Sequence, residues 1–307
     1  MPSTKLRPPN RSARRRQDPV SRASWPTRSS LGLSILQVPA LSELPWLIHA
    51  FSTRPGGVSP LAHEKVLNLG FTDWDSRENV QENRRHFQIA VAAPNVPLVT
   101  LKQFHSDVIH VVDDAPADPC RGDASTTNRS NLLLAIQTAD CVPILLVDAK
   151  KRTIAAIHAG WRGTLSRIAA KTIGRMRMHF GTKPVDLLAA VGPAIGGCCY
   201  EVGTEVASQF LSQFPDAPDY FDEFRTGDEP NPIQWLNMMP PGHQPPPKSV
   251  LLDLRRANRS QLLAAGLRPQ NIHISDLCTA CRPDLLFCYR KEGPTSGRLM
   301  SLIGIRP

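Results

Sequence analysis

The stretch NLLLAIQTADCVPILLVDAKKRTIAAIHAGWRGT, residues 131–164, holds three short apolar runs: NLLLAIQT (131–138), PILLVD (143–148) and TIAAIH (153–158). Each has strand length and none alternates polar with apolar residues, so both faces of each strand must be covered. Such strands belong inside a packed sheet. The second and third runs are joined by a link of hairpin length, which suits an antiparallel pair, whereas a parallel pair needs a long crossover. The expected fold class is α/β, of an α+β-like kind, with a mixed sheet and flanking helices.

Downstream, LSRIAAKTIGRMRMHF (165–180) sets Leu165, Ile168, Ala169, Thr172, Ile173 and Met176 at steps of three and four, the spacing of a one-sided helix, which Gly181 and Pro184 end. VDLLAAVGPAIGG (185–197) reads as a strand entering a glycine-rich turn, and Thr204–Phe214 as a short helix. SVLLDLRRANRSQLLAAGL (249–267) reads as a strand, an Asp253 cap and a helix closed by Gly266. NIHIS (271–275), LLFCYR (285–290) and GRLMSLIGI (297–305) supply the last strands. Upstream, Asp75 is expected to cap a helix reaching about Ala92, with Glu78 in capping-box position and Val80, Arg84, Phe87 and Val91 along one side. PLVTLKQFHSDVIHVVDD (97–114) gives two short strands broken around Phe104–Asp107, and the polar stretch 113–130 is expected to be loop.

The net charge of +9 is unevenly placed. Residues 1–30 carry Lys5, Arg7, Arg11, Arg14, Arg15, Arg16, Arg22 and Arg28 against Asp18, a net +7 that leaves +2 for residues 31–307. Rich in proline and poor in periodic apolar residues, residues 1–30 read as a disordered basic tail, and nucleic-acid contact is expected only through it. Residues 31–307 read as one domain with a proline-rich insertion at about 215–248, where nine prolines fall. No apolar run approaches the roughly 20 residues that cross a bilayer, and the first residues lack the apolar core of a secretion signal. With seven cysteines and no such signal, reduced thiols in a cytoplasmic setting are expected.

Three residues with metal-ligand chemistry stand at strand ends: His105 in KQFHSD, Cys141 in TADCVP and His158 in IHAGWRG. There the backbone leaves a sheet and side chains can share one crevice. Two imidazoles and a thiolate suit zinc better than magnesium or calcium, and three protein ligands leave the open position of a catalytic zinc. Their spacing matches no compact zinc finger, so the trio alone is suggestive and no more. Asp140, a charge at the lip of buried strands, needs a cation or a buried arginine as partner. Gly160 and Gly163 let the backbone approach the site closely. Trp161 reads equally as pocket wall or core indole, and Arg162 either pairs with Asp140 or faces solvent. CTAC (278–281) and the vicinal Cys198 and Cys199 read as structural thiols, the latter near the pocket.

The motifs TRPGGVS (53–59), LNLG (67–70), ENRRHF (82–87), QFHSD (103–107), ADCVPILLVD (139–148), AAIHAGWRGT (155–164), VGPAIGGCCYEVG (191–203), DLRRANRSQL (253–262) and CYRKEGPTSGRLMSLI (288–303) occur in the order seen in the YfiH family. This is the polyphenol oxidase laccase-domain or peptidoglycan-editing-factor family, which the chain resembles from about Phe51 to Ile303. The resemblance implies a mixed-sheet YfiH-like sandwich and one zinc held by a His, a Cys and a His, which fall on His105, Cys141 and His158. It also implies a zinc-dependent purine nucleoside phosphorylase. The substrates would be adenosine, inosine and S-methyl-5'-thioadenosine, cleaved with phosphate to free base and (methylthio)ribose 1-phosphate, with adenosine deaminase side activity. Phosphorolysis needs cations for the phosphate, and Arg54 and Arg298, beside glycine-rich turns, are the candidates for phosphate or substrate binding.

Three rival readings stay open. One is a cysteine-dependent amide hydrolase acting on peptidoglycan precursors, with Cys141 as nucleophile, His105 or His158 as base and Asp140 as orienter. Another is a copper oxidase, disfavoured because nine histidines include no His-x-His pair. The last is a non-enzymatic binder whose tail recruits nucleic acid. A zinc nucleobase deaminase is excluded, since no histidine has glutamate two residues on.

Overall fold

In the computed structural model, which describes residues 25–222 and 249–307, the central runs form strands Leu133–Thr138, Val142–Asp148 and Thr153–Ala159. The second and third pair antiparallel, Val142 opposite Ala159 and Asp148 opposite Thr153. The first run joins a different sheet. One six-stranded sheet has the order Ile272–Ile274, Leu187–Val191, Val142–Asp148, Thr153–Ala159, Ala124–Thr127, Ile109–Val111. The other has the order Thr27–Ser30, Leu33–Leu36, Leu47–Ser52, Leu299–Ile305, Leu133–Thr138, Leu98–Val99. Both are mixed, because peripheral pairs in each are parallel and the rest antiparallel.

Alternation along the strands explains why every position is apolar. Leu145, Val147, Ile154 and Ala156 meet Phe51, Leu134, Ile136 and Ile303 in a core between the two sheets. Ile144, Leu146, Ala155 and Ile157 point the other way, into a core shared with helices Ile168–Phe180, Thr204–Gln213 and Leu254–Ala264. On the far side, Leu133, Ala135, Ala50 and Leu302 lie beneath Phe87 and Ala90 of helix Arg77–Ala90. The result is a helix–sheet–sheet–helix sandwich. Each fully buried Leu or Ile contributes about 1.5–3 kcal/mol, so the inner strands have no face to yield to water. No helix among the described residues is long and apolar enough to cross a membrane.

Several local expectations are corrected. Ser76, not Asp75, caps the first long helix, its Oγ accepting from Asn79 N at 3.1 Å. The Asp75 carboxylate instead accepts from Ser59 Oγ at 2.5 Å and Asn68 Nδ2 at 2.8 Å, tying the preceding loop to the helix. The helix expected from Leu165 is two helices, Trp161–Leu165 and Ile168–Phe180, broken where Arg167 takes φ 60°. Within the polar stretch 113–130, Ala124–Thr127 is a fully buried strand whose two threonine hydroxyls find backbone acceptors, Thr126 on Ile154 O at 2.8 Å and Thr127 on Val112 O at 2.6 Å, while Ser125 Oγ has no partner among the described residues. LLFCYR forms no strand: Leu286, Phe287 and Cys288 are buried in a turn before the short helix Tyr289–Glu292.

Residues 25–30, expected to belong to the disordered tail, are part of the fold. Trp25 is buried against Phe51, ring centroids 5.0 Å apart, and Thr27–Ser30 pairs with Leu33–Leu36. Residues 1–24 lie outside the described residues, as do 223–248 of the proline-rich insertion. The start of that insertion, Ala217–Asp222, is a short 3₁₀ turn and a two-residue strand.

Buried polar groups in this sandwich carry a pH dependence. His49 lies mid-strand at 2% exposure, its Nε2 accepting from Val38 N at 2.9 Å, which only a neutral imidazole can do. Burial lowers its pKa from 6.5 to about 4. The unfolded chain therefore binds a proton between those values that the folded chain refuses. His49's contribution is complete above about 6.5 and is lost as pH falls towards about 4, to a total on the order of 3 kcal/mol. Urea melts across this range are expected to show that acid-linked loss in the wild type and a flatter profile in His49→Gln.

Candidate active site

His158 is the penultimate residue of strand Thr153–Ala159, and Gly160 immediately caps helix Trp161–Leu165, so the imidazole stands where strand turns into helix. Cys141 precedes the neighbouring strand, and His105 lies in the turn between Leu98–Val99 and Ile109–Val111. The donor atoms of His105, Cys141 and His158 all lie within 4.8 Å of one another. Cys141 Sγ is 3.8 Å from His105 Nε2, and the two imidazoles meet edge to face with centroids 5.0 Å apart. His158 is buried, Cys141 half-buried and His105 exposed, so the trio opens to solvent on one side. Gly160 makes the approach possible, because a Cβ there would stand 2.8 Å from His105 Cδ2 and 3.0 Å from Cys141 Sγ.

The residue that organises the trio is Asp123, which the sequence reading missed. Its Oδ1 accepts from His158 Nδ1 at 2.8 Å and His105 N at 3.0 Å. Its Oδ2 accepts from Ser106 N at 2.7 Å, Ser106 Oγ at 2.6 Å and Phe104 N at 3.3 Å. Fully buried, it fixes the His158 tautomer and holds His105 at φ 63°, a backbone state worth on the order of 1–3 kcal/mol of strain. Burial opposes charge on Asp123, but the bonds from His158 and Ser106 outweigh it and hold the carboxyl well below the usual range. Burial likewise opposes charge on Cys141 and His158, yet each stabilises the other. The thiol is drawn down to about 6 and the imidazole, helped by Asp123, is held up at about 9.

Among the described residues no arginine side chain is ion-paired with Asp140. Its carboxylate accepts from Thr279 Oγ1 at 2.5 Å and Arg290 N at 2.6 Å, and its carbonyl from Ile195 N at 2.9 Å. This clamp holds Asp140 at φ 95° and sets the direction of Cys141.

The trio floors a cleft of about 540 Å³, within the size range of small-molecule sites. Trp161, Tyr200 and Tyr289 form aromatic walls, and Arg162, Arg290 and Arg298 also line it. None of these three guanidinium groups is ion-paired with a described carboxylate; they stack on Trp161, Tyr200 and Tyr289 respectively. Arg298 is anchored by Ser296 O at 2.8 Å and Gly297 O at 3.0 Å. Burial first, and Cys141 next, push the Tyr200 phenol up to about 12. Arg54 is elsewhere: it pairs with Glu292, stacks on Phe287 and does not line the cleft. Glu292 in turn accepts from Cys288 N and Ser296 Oγ, so Arg54 braces the segment that presents Tyr289 and Arg290.

A sandwich with converging N and S donors at the floor of a basic cleft is the architecture of a small-molecule enzyme. The family model described as "Multi-copper polyphenol oxidoreductase laccase" matches residues 48–306, and the chain belongs to this family. It is similar to purine nucleoside phosphorylase YlmD of Geobacillus stearothermophilus, 33% identical over 270 residues that cover 84% of this chain and 90% of that protein. It is also similar to a purine nucleoside phosphorylase of Deinococcus radiodurans, 35% identical over 274 residues, covering 89% and 94%. The crystal structure of Bacillus licheniformis hypothetical protein YfiH superposes with a TM-score of 0.78 at 28% identity, covering 92% of this chain and 99% of that one. The YfiH likeness carried by the motifs is thereby shown.

Proposed function

We propose that the protein is a zinc-dependent purine nucleoside phosphorylase that cleaves adenosine, inosine and S-methyl-5'-thioadenosine, with adenosine deamination as a side activity. The observation that carries this reading is the convergence of His105, Cys141 and His158 beneath three guanidinium groups that have no carboxylate partner among the described residues. Two imidazoles and a thiolate fit zinc, and Asp123, by accepting the Nδ1–H hydrogen bond of His158, leaves the Nε2 lone pair for a metal. When bound there, zinc supplies a Lewis acid at the cleft floor. The chain's own side chains do the rest. Arg298, with Arg162 and Arg290, holds phosphate in bidentate fashion. Tyr200, kept protonated, donates to the purine, and the aromatic walls stack on it and exclude water.

One observation favours a second reading. Without an ion, a thiol drawn down to about 6 beside an imidazole held up at about 9, itself oriented by Asp123, is the arrangement of a thiol hydrolase. Here Asp123 takes the orienting place that sequence reasoning gave to Asp140. His105 on the other flank of the sulfur has no part in such a triad but completes a metal-donor set.

Incubation with adenosine, with and without phosphate, separates the readings. Adenine and ribose 1-phosphate are expected only with phosphate, inosine independently of it, and both activities are expected to fall with a chelator and return with zinc. Activity on amides that survives chelation and is lost on alkylation of Cys141 would favour the hydrolase, and an intense visible thiolate-to-copper band with oxidase activity would favour copper. Arg298→Ala is expected to raise the KM for phosphate about tenfold or more, the size of a lost charge-assisted contact.

A further inference from the structure

Four cysteines that the active-site trio does not use come together from two distant turns. Cys198 and Cys199 lie in a turn where Cys199 N and Tyr200 N both donate to Gly196 O at 2.9 Å. Cys278 and Cys281 lie in a second turn, where Cys281 N and Arg282 N donate to Cys278 O at 3.2 and 3.0 Å. A bridge between Ala194 and Cys278 holds the turns side by side. All four Sγ atoms fall within 4.8 Å of one another. Cys281 Sγ is 3.6 Å from Cys198 Sγ and 3.5 Å from Cys199 Sγ, and Gly196 N donates to Cys278 Sγ at 3.2 Å. Zinc–sulfur bonds of about 2.3 Å in a tetrahedron set sulfur–sulfur edges of about 3.8 Å, close to these distances. Read separately in the sequence, the two pairs suggested inert structural thiols; read together, they are a complete donor set.

We propose that Cys198, Cys199, Cys278 and Cys281 form a second metal centre, a tetrathiolate site for zinc, separate from the active-site trio. Each thiol gives its proton to solvent on ligation, and four thiolates around one divalent cation leave two negative charges. Arg290 and Lys291, which line the adjoining 310 Å³ cavity with Cys198 and Cys199, face that charge. The ion joins the turn carrying Tyr200, which lines the active-site cleft, to the turn carrying Thr279, which holds Asp140. The site is therefore a staple under the cleft wall, with no part in the chemistry.

The test counts zinc in the full chain, stripped with a chelator under reductant and refilled anaerobically with Zn²⁺ alone. Elemental analysis and native mass spectrometry are expected to give two zinc ions per chain in the wild type, one in Cys198→Ser/Cys281→Ser and one in Cys141→Ser/His158→Ala. Co²⁺ is expected to give intense thiolate charge-transfer bands in the last variant. Should only the active-site reading be wrong, the wild type would hold one zinc, lost in the first variant and kept in the second. A single wild-type zinc that Cys198→Ser/Cys281→Ser retains would overturn the proposal. Because a variant can misfold, the wild type carries its own measurement. Zinc is expected to protect Cys198 and Cys281 from alkylation while the exposed Cys120 stays reactive; equal labelling of all three would also overturn it.

Discussion

Asp123→Asn is expected to weaken zinc binding and lower kcat/KM together, each by about 10- to 100-fold, the usual cost of removing the partner that orients a ligating histidine. The geometry makes the substitution fail in either orientation. With the amide oxygen kept towards His158, the NH₂ group faces the backbone N–H groups of Ser106 and Phe104, which can only donate, and displaces the bond donated by Ser106 Oγ. With the amide flipped, the NH₂ faces His158 Nδ1 and His105 N, which forces the His158 proton onto Nε2 and removes the donor lone pair. At least one buried donor is left unmet, costing about 1–3 kcal/mol of stability. Competition against a chelating dye, steady-state kinetics and a thermal melt read the three effects. Wild-type zinc affinity of the active-site trio in a folded Asp123→Asn protein, measured with Cys198→Ser/Cys281→Ser as background, would show that Asp123 does not orient His158 for a metal.

What the sequence reveals about this site depends on whether chemistry interrupts a pattern. His158 and Cys141 are legible because each breaks an apolar run that must otherwise be strand, and His105 because it sits where two short strands part. Asp123 is not, because it lies in RGDASTTNRS (121–130), where nothing is periodic, and its five hydrogen bonds reach groups 17 to 35 residues away. The same blindness hid the strand Ala124–Thr127, whose threonine hydroxyls are satisfied by backbone carbonyls rather than water. Arg54 has the chemistry for phosphate and a loop to present it, but its partner Glu292 lies 238 residues on. LLFCYR shows the opposite failure, since a short apolar run reads alike as a strand or as a turn packed into a core. The layers were predictable because burial on both faces writes itself into every position of a strand. The clamps were not, because a hydrogen bond between distant residues leaves no period.

The second large effect is expected from one methyl group. Gly160 has φ −71° and ψ 175°, which alanine adopts without strain, so the damage done by Gly160→Ala comes from its contacts and not from the backbone. Its Cβ meets His105 Cδ2 at 2.8 Å and Cys141 Sγ at 3.0 Å. Cys141 cannot retreat, because Asp140 before it is clamped by Thr279 and Arg290 and Val142 after it is in the sheet. The exposed His105 ring must therefore swing, and since Asp123 fixes its backbone, the swing carries Nε2 away from the other donors. A displacement near 1 Å at reacting groups costs on the order of 100-fold in rate, and zinc affinity is expected to fall with it while the melting temperature stays within a few degrees of wild type. Gly174→Ala, mid-helix with nothing within 4 Å of its new Cβ, is the matched control and is expected to keep full activity with about 0.5–1 kcal/mol more stability. Unchanged zinc binding and turnover in Gly160→Ala would mean that the three side chains do not act as one centre.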